Sequence, residues 1–151
     1  MFRGITTINM DAKGRFALPT RYRDRVAEMC ANQLVVTIDT QERCLLIYPL
    51  PEWEVIEKKL DELPGHNPAV RRIQRMLIGH ATDVEVDGQG RVLLSQELRE
   101  YAGLEKKVVL MGQGRKFELW DEAAWKAKQA SYLEAAEDAQ LSEELLNSLP
   151  L

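Results

Sequence analysis

Apolar positions along the chain alternate, cluster and then repeat in the same order. From Gly4 to Met10, Ile5, Ile8 and Met10 alternate loosely with threonines and Asn9, which predicts a strand. Arg15 to Leu18 predicts a second, shorter strand. Pro19 and Thr20 then open a helix that runs to Cys30, with Tyr22, Val26 and Met29 on one face. Arg21, Arg23 and Arg25 fan around that helix and read as mostly solvated. The β-branched run Leu34 to Ile38 predicts a buried strand, with Cys44 to Tyr48 as its hairpin partner. Trp53, Ile56, Leu60 and Leu63 fall at helical spacing and predict a helix over 52–63, broken by Pro64-Gly65. A second helix is predicted over 68–79, with Val70, Ile73 and Leu77 on one face and Arg71, Arg72 and Arg75 on its polar side. Then the order restarts. Strands are predicted over 82–86 and 92–94, a helix capped by Ser95 and stopped at Gly103, and strands over 107–111 and 117–120. An alanine-rich helix is predicted from Asp121 to about Ala139. The tail from Leu141 to Leu151 is weakly amphipathic, suited to fraying or to packing on a neighbouring subunit.

The two series share a turn. Asp11-Ala12-Lys13-Gly14-Arg15 and Asp87-Gly88-Gln89-Gly90-Arg91 each end a strand and start another. Asp suits the first position of such a turn because its carboxylate can accept from backbone N–H groups two residues on. Gly14 and Gly90 supply a positive φ without steric cost. Each arginine then leaves a backbone fixed on both sides. One reading is that Asp and Arg only pair across the turn. The other is that two matched arginines, with Lys13 added in the first copy, are displayed for a polyanionic partner, because a guanidinium bonds phosphates and guanine edges bidentately. The duplication favours display.

Composition narrows the choice. The net charge of −4 rules out a uniformly basic binder, but residues 1–26 carry +4 and residues 118–151 carry −6, so one face suits a polyanion. No apolar run is long enough for a membrane span, and Met1-Phe2-Arg3-Gly4 leads directly into strand-like sequence rather than a signal peptide. Cys30 and Cys44 have no metal-ligand spacing and read as reduced packing residues of a cytosolic protein. His66 and His80 are isolated from other ligand types, and no nucleophile, P-loop or dinucleotide motif occurs, so the expectation is no enzyme, no metal and no cofactor. Asp11 and Asp87 could form a paired-carboxylate site, but an arginine four residues after each favours structural pairing.

The opening tetrapeptide, the Asp11–Arg15 turn, Pro19, Tyr22-Arg23, the central helices and the Asp87–Arg91 turn resemble the MraZ family over essentially the whole chain. The resemblance implies an α+β, mainly β fold. Two AbrB-like, swapped-hairpin repeats would form a pseudo-dimeric β-barrel with a helical insert and a C-terminal helix. The expected division is 1–51 for the first repeat, 52–79 for the insert, 80–124 for the second repeat and 125–151 for the C-terminal helix and tail. It also implies a DNA-binding transcriptional repressor of its own operon, the bacterial division and cell-wall gene cluster. Such a protein would be cytoplasmic, nucleoid-associated and assembled as a ring that binds promoter direct repeats, with no small-molecule ligand. The alternative is an oligomeric protein-interaction scaffold that binds no DNA. The DNA-contacting set is expected to be Lys13, Arg15, Arg91 and Arg3, with Asp11, Gly14, Asp87 and Gly90 shaping the turns. Gln89 stands where the first copy has Lys13, and Ser95 where it has Pro19, so the two turns differ in charge.

Overall fold

The computed structural model describes residues 1–134 and 143–150. The elements in order are β1 (Phe2–Asn9), β2 (Arg15–Ala17), α1 (Thr20–Cys30), β3 (Gln33–Ile38), β4 (Leu45–Pro49), α2 (Leu50–Asp61) and α3 (Pro68–His80). They continue with β5 (Thr82–Glu85), β6 (Arg91–Leu93), α4 (Gln96–Tyr101), β7 (Lys107–Gly114), β8 (Phe117–Asp121), α5 (Glu122–Glu134) and α6 (Glu143–Asn147). The helix predicted to reach Ala139 is followed to Glu134; the expectation for 135–139 lies outside the described residues.

All strand pairings are antiparallel, and they join the two halves. β1 of the first half pairs with β7 of the second, and β5 of the second pairs with β3 of the first. β2 pairs with β6, and β4 with β8. Only the hairpins β3–β4 and β7–β8 stay within one half. The order β1-β7-β8-β4-β3-β5 forms one six-stranded sheet, and β2-β6 is a separate ribbon. The expected barrel is therefore not closed. β1 and β5 are both edge strands, because the chain leaves the sheet at each Asp turn and the strands beyond the turns pair with each other. β5 is four residues long and exposes Asp83 and Glu85, features that discourage further pairing at an edge.

One apolar cluster spans both halves. Phe2 and Tyr22 from the first half meet Phe117 from the second, with Phe2 stacked on Phe117 at 4.2 Å and Tyr22 edge-on to it at 5.0 Å. Aromatic contacts of this kind add about 0.5–1.5 kcal/mol each beyond the area buried. Phe16, Val26, Val92 and Leu98 bring the ribbon and helices α1 and α4 onto the same core. In α1 the apolar face is Tyr22, Val26 and half-buried Cys30, while Met29 is 41% exposed. Steps of four from Tyr22 lead to Val26 and Cys30, so the buried face passes through Cys30 and Met29 falls beside it. Helices α2 and α3 close over the other side of β3 and β4, where Trp53 packs with Val35, Leu46 and Tyr48. Ile73 lies outward rather than in that contact.

Candidate nucleic-acid interface

Both Asp turns fold as their residues dictate. In the first, Asp11 Oδ1 accepts from the backbone N–H of Lys13 and of Arg15, each at 2.9 Å, and Oδ2 accepts from Arg15 Nε at 2.8 Å. Gly14 sits at φ +89° and donates its N–H to Asp11 O. In the second, Asp87 accepts from Gln89 N–H at 2.9 Å, Arg91 N–H at 2.8 Å and Arg91 Nε at 3.2 Å, with Gly90 at φ +76°. The backbone N–H of the arginine does most to hold each Asp carboxyl below its ordinary value of 3.8, and the guanidinium adds to it. The pairing expected across each turn is present. Asp and Arg pair, but through Nε, so both terminal nitrogens of each guanidinium lack a protein partner among the described residues.

The ribbon places the two arginines together. Arg15 is opposite Leu93 and Arg91 is opposite Ala17, while Phe16 and Val92 between them point into the core. Alternation puts Arg15, Ala17, Arg91 and Leu93 on the outer face. The two arginines are diagonal neighbours there, about 7–8 Å apart at the backbone. Further bonds stitch the turns to each other: Leu18 N–H donates to Gly90 O at 2.8 Å, and Leu94 N–H to Gly14 O at 2.9 Å. Lys13 is exposed beside Arg15, and uncharged Gln89 is exposed beside Arg91. At neutral pH each Asp–Arg pair is balanced, so Lys13 is the unbalanced charge within the turns themselves. Arg3 is not part of this group. It lies at the far end of β1, six residues or roughly 20 Å from Asn9.

Two residues that sequence reasoning missed stand behind the turns. Arg99 of α4 lies against Gly14, where a Cβ would meet its Nε at 2.5 Å and its Cζ at 2.8 Å. Arg23 of α1 lies against Gly90, where a Cβ would meet its Cζ at 2.6 Å. Each half's helix thus braces the other half's turn. Arg23 Nε donates to Leu18 O at 2.8 Å, whereas Arg99 Nε is buried without a hydrogen-bond partner. Arg23 was expected to be solvated; instead it is half-buried and bonded. The signal available in the sequence was the repeat itself, since Arg23 and Arg99 stand at the same offset as Arg15 and Arg91.

Away from the ribbon, Asp39, Cys44 and Glu118 bring their ligand-type atoms within 4.8 Å of one another. Burial, reinforced by the neighbouring carboxylates, pushes the Cys44 thiol far above its ordinary range, and Cys44 donates to Asp39 Oδ2 at 3.7 Å. Glu118 accepts from Trp120 Nε1 at 2.8 Å. The trio is a packed contact between the start of β4 and β8, with the Cys44 thiol fully buried. Both cysteines are free, and no helix among the described residues is long and apolar enough to cross a membrane.

Comparison with known proteins agrees with the internal duplication. The family model "MraZ protein, putative antitoxin-like" matches twice, over residues 1–76 and 77–148. The chain is 56% identical to the "Transcriptional regulator MraZ" of Halorhodospira halophila, over 96% of this chain and 97% of that protein. It is 57% identical to the protein of the same name from Hydrogenovibrio crunogenus, over 95% of each. Against that of Klebsiella pneumoniae it is 53% identical, over 96% of this chain and 97% of that protein.

Proposed function

The chain belongs to the MraZ family, and from that membership we propose that it is a transcriptional regulator that binds double-stranded promoter DNA through the outer face of the β2–β6 ribbon. Its role is regulatory rather than catalytic, in keeping with the names of its relatives. The finer reading is repression of its own operon by a ring of subunits bound to direct repeats, in the cytoplasm and on the nucleoid. The observation that carries the DNA reading is the placing of Arg15 and Arg91, one from each half, side by side on one exposed face with their terminal nitrogens unused.

The proposed mechanism follows from the charges. Lys13, Arg15 and Arg91 offer three phosphate or base contacts per subunit. Three contacts give a log–log salt slope of about −2.7, so raising salt from about 50 to 200 mM weakens one subunit roughly forty-fold. A single subunit of a net acidic chain thus binds weakly. Identical faces repeated in a ring make later contacts intramolecular, and linking sites in this way raises avidity by about 10²–10⁴-fold. Each Asp carboxylate holds its arginine by Nε, so less side-chain entropy remains to be lost on contact.

A titration of the protein against DNA from its own upstream region, followed by anisotropy with native mass measurement in parallel, tests this. Arg15→Ala is expected to abolish specific binding while the assembly keeps its mass. Arg91→Ala is expected to weaken binding less, because the second turn lacks the lysine. Binding retained by Arg15→Ala sinks the assignment of the ribbon face. An intact assembly that binds no upstream DNA in the wild type supports the scaffold reading instead.

A further inference from the structure

Helix α3 carries a charge that the fold leaves unanswered. Arg71, Arg72 and Arg75 are exposed, and none has a carboxylate partner among the described residues. The helix contains no acid, and Arg71 and Arg75 stand four residues apart, a like-charge spacing that weakens a helix. At helical spacing the three arginines and Gly79 share one stripe about 100° wide. Leu77 and Ile78 hold α3 to the cluster of Val35, Leu46, Tyr48 and Trp53. Toward α2 the bond is made by Gln74, whose Nε2 donates to Leu60 O at 2.8 Å, and not by an arginine. Beside this stripe, α2 carries the opposite charge. Glu54, Glu57, Lys58 and Asp61 line a recess of about 510 Å³ together with Ile78. A smaller recess of about 200 Å³ shares Glu54, Glu57 and Ile78 and adds Asp83 of β5, with Trp53 among its lining residues. Lys58 offsets only one of these carboxylates. None of the four acids is in an ion pair among the described residues, and Glu57 accepts from Trp53 Nε1 at 2.8 Å.

The basic stripe and the acidic recess belong to one helical hairpin, yet they do not pair within it. Between two copies they can. A guanidinium is weakly hydrated and planar, bonds carboxylates bidentately and lies flat on apolar side chains. The recess offers both, with acids at Glu54, Asp61 and Asp83 and apolar surface at Ile78 and Trp53. From this we infer that the arginine stripe of α3 docks in the α2–β5 recess of a second copy of the chain. A duplex is the other partner such a stripe could take. It is disfavoured because α2 and α3 cover the side of β3 and β4 opposite the core that carries the ribbon. Contact between unlike surfaces runs head to tail, and it closes into a ring where the rotation allows. The inference names the contact for the assembly proposed above; it rests on that assembly and not on DNA binding.

The test is native mass measurement and sedimentation velocity of the full chain across concentration. The wild type is expected to assemble, and less tightly as salt is raised. Arg71→Glu with Arg75→Glu is expected to raise the dissociation midpoint by about tenfold or more, because like charges then meet across the contact. Glu54→Lys with Asp61→Lys is expected to do the same. Mixed in equal amounts, the two variants are expected to regain the wild-type mass. The reversed stripe of one then fits the reversed recess of the other, and the native surfaces fit each other. Recovery on mixing also shows that both variants are folded, since an unfolded chain restores no partner. Variants that assemble as tightly as the wild type, or that lose assembly without recovery on mixing, overturn the contact. Loss of DNA affinity in the arginine variant with assembly intact overturns it too and assigns α3 to the duplex. A wild type that stays monomeric overturns both this contact and the assembly reading. Recovery on mixing in a protein that binds no upstream DNA upholds the contact and counts against the ribbon reading alone.

Discussion

Alanine at Gly90 is expected to harm the fold more than alanine at Gly14, although the two glycines occupy equivalent turns. Both substitutions force an L-residue to a φ near +80°, which costs about 1–2 kcal/mol. Both also drive a Cβ into an arginine from the other half, and that arginine must swing away. The difference lies in what the arginine gives up. Arg23 leaves its hydrogen bond to Leu18 O, and a bond with a charged donor contributes about 1.5–3 kcal/mol. Arg99 gives up no bond at Nε and exposes to water a buried donor that had no partner. Gly90→Ala is therefore expected to lose about 1.5–3 kcal/mol more than Gly14→Ala. Equilibrium urea unfolding at one fixed protein concentration measures this, provided the m-value is unchanged. A double-mutant cycle sharpens it, since adding Gly90→Ala to Arg23→Ala leaves only the backbone strain. Equal losses at the two glycines, or a larger loss at Gly14, would refute the assigned difference between the two braces.

Gly112→Ala is expected to cost about 3 kcal/mol in the same assay, comparable to truncating a buried aromatic, because its Cβ would meet Arg3 N at 2.5 Å and Phe2 C at 2.7 Å and lift Phe2 from Phe117; a near-neutral result would mean β1 can shift without cost. Asp11 and Asp87 have folded pKa values below 3.8, so their stabilising bonds are complete above that pH and fade as pH falls through the lowered values. Acid titration of Asp11→Asn with Asp87→Asn should therefore show a flatter stability profile below pH 3.8 than the wild type, and identical profiles would count against it. Gln89→Lys gives the second turn the charge of the first, and anisotropy across salt should show a slope steeper by about 0.9 per engaged subunit; an unchanged slope would mean that this position does not face DNA.

Local chemistry was legible in the sequence, and long-range pairing was not. The Asp-x-x-Gly-Arg turns could be read because the bonds made by each Asp carboxylate lie within five residues. Ser95 accepts from Leu98 N–H, and Gly103 ends α4 at φ +59°, again from short-range chemistry. The pairing of β1 with β7 and of β5 with β3 could not be read from the residues alone. The same alternation serves a strand whether it pairs within its own half or with the other, and the resemblance supplied the idea of a swap. Phe2 fell outside the predicted strand because its partner, Phe117, is distant in the chain. Arg3 was grouped with Lys13 by charge, and strand length separates them. Asp39, Cys44 and Glu118 have no ligand spacing in sequence and meet because β4 lies beside β8.

The swap makes the candidate interface a property of both halves. Gly14 O is bonded by Leu94 and covered by Arg99; Gly90 O is bonded by Leu18, and its glycine is covered by Arg23. Neither turn is completed by its own half. The geometry is nearly two-fold, but the chemistry on it is not: Lys13 corresponds to Gln89, Pro19 to Ser95, and the bonded Arg23 to the unbonded Arg99. One end of the ribbon is more charged and the other less. A reading head with such a direction matches a DNA element that also has one. On the proposed function, subunits repeated in the same sense would then meet the same element repeated in the same sense. Direct repeats satisfy that condition, whereas a palindrome would place the weaker turn of one subunit where its neighbour presents the stronger.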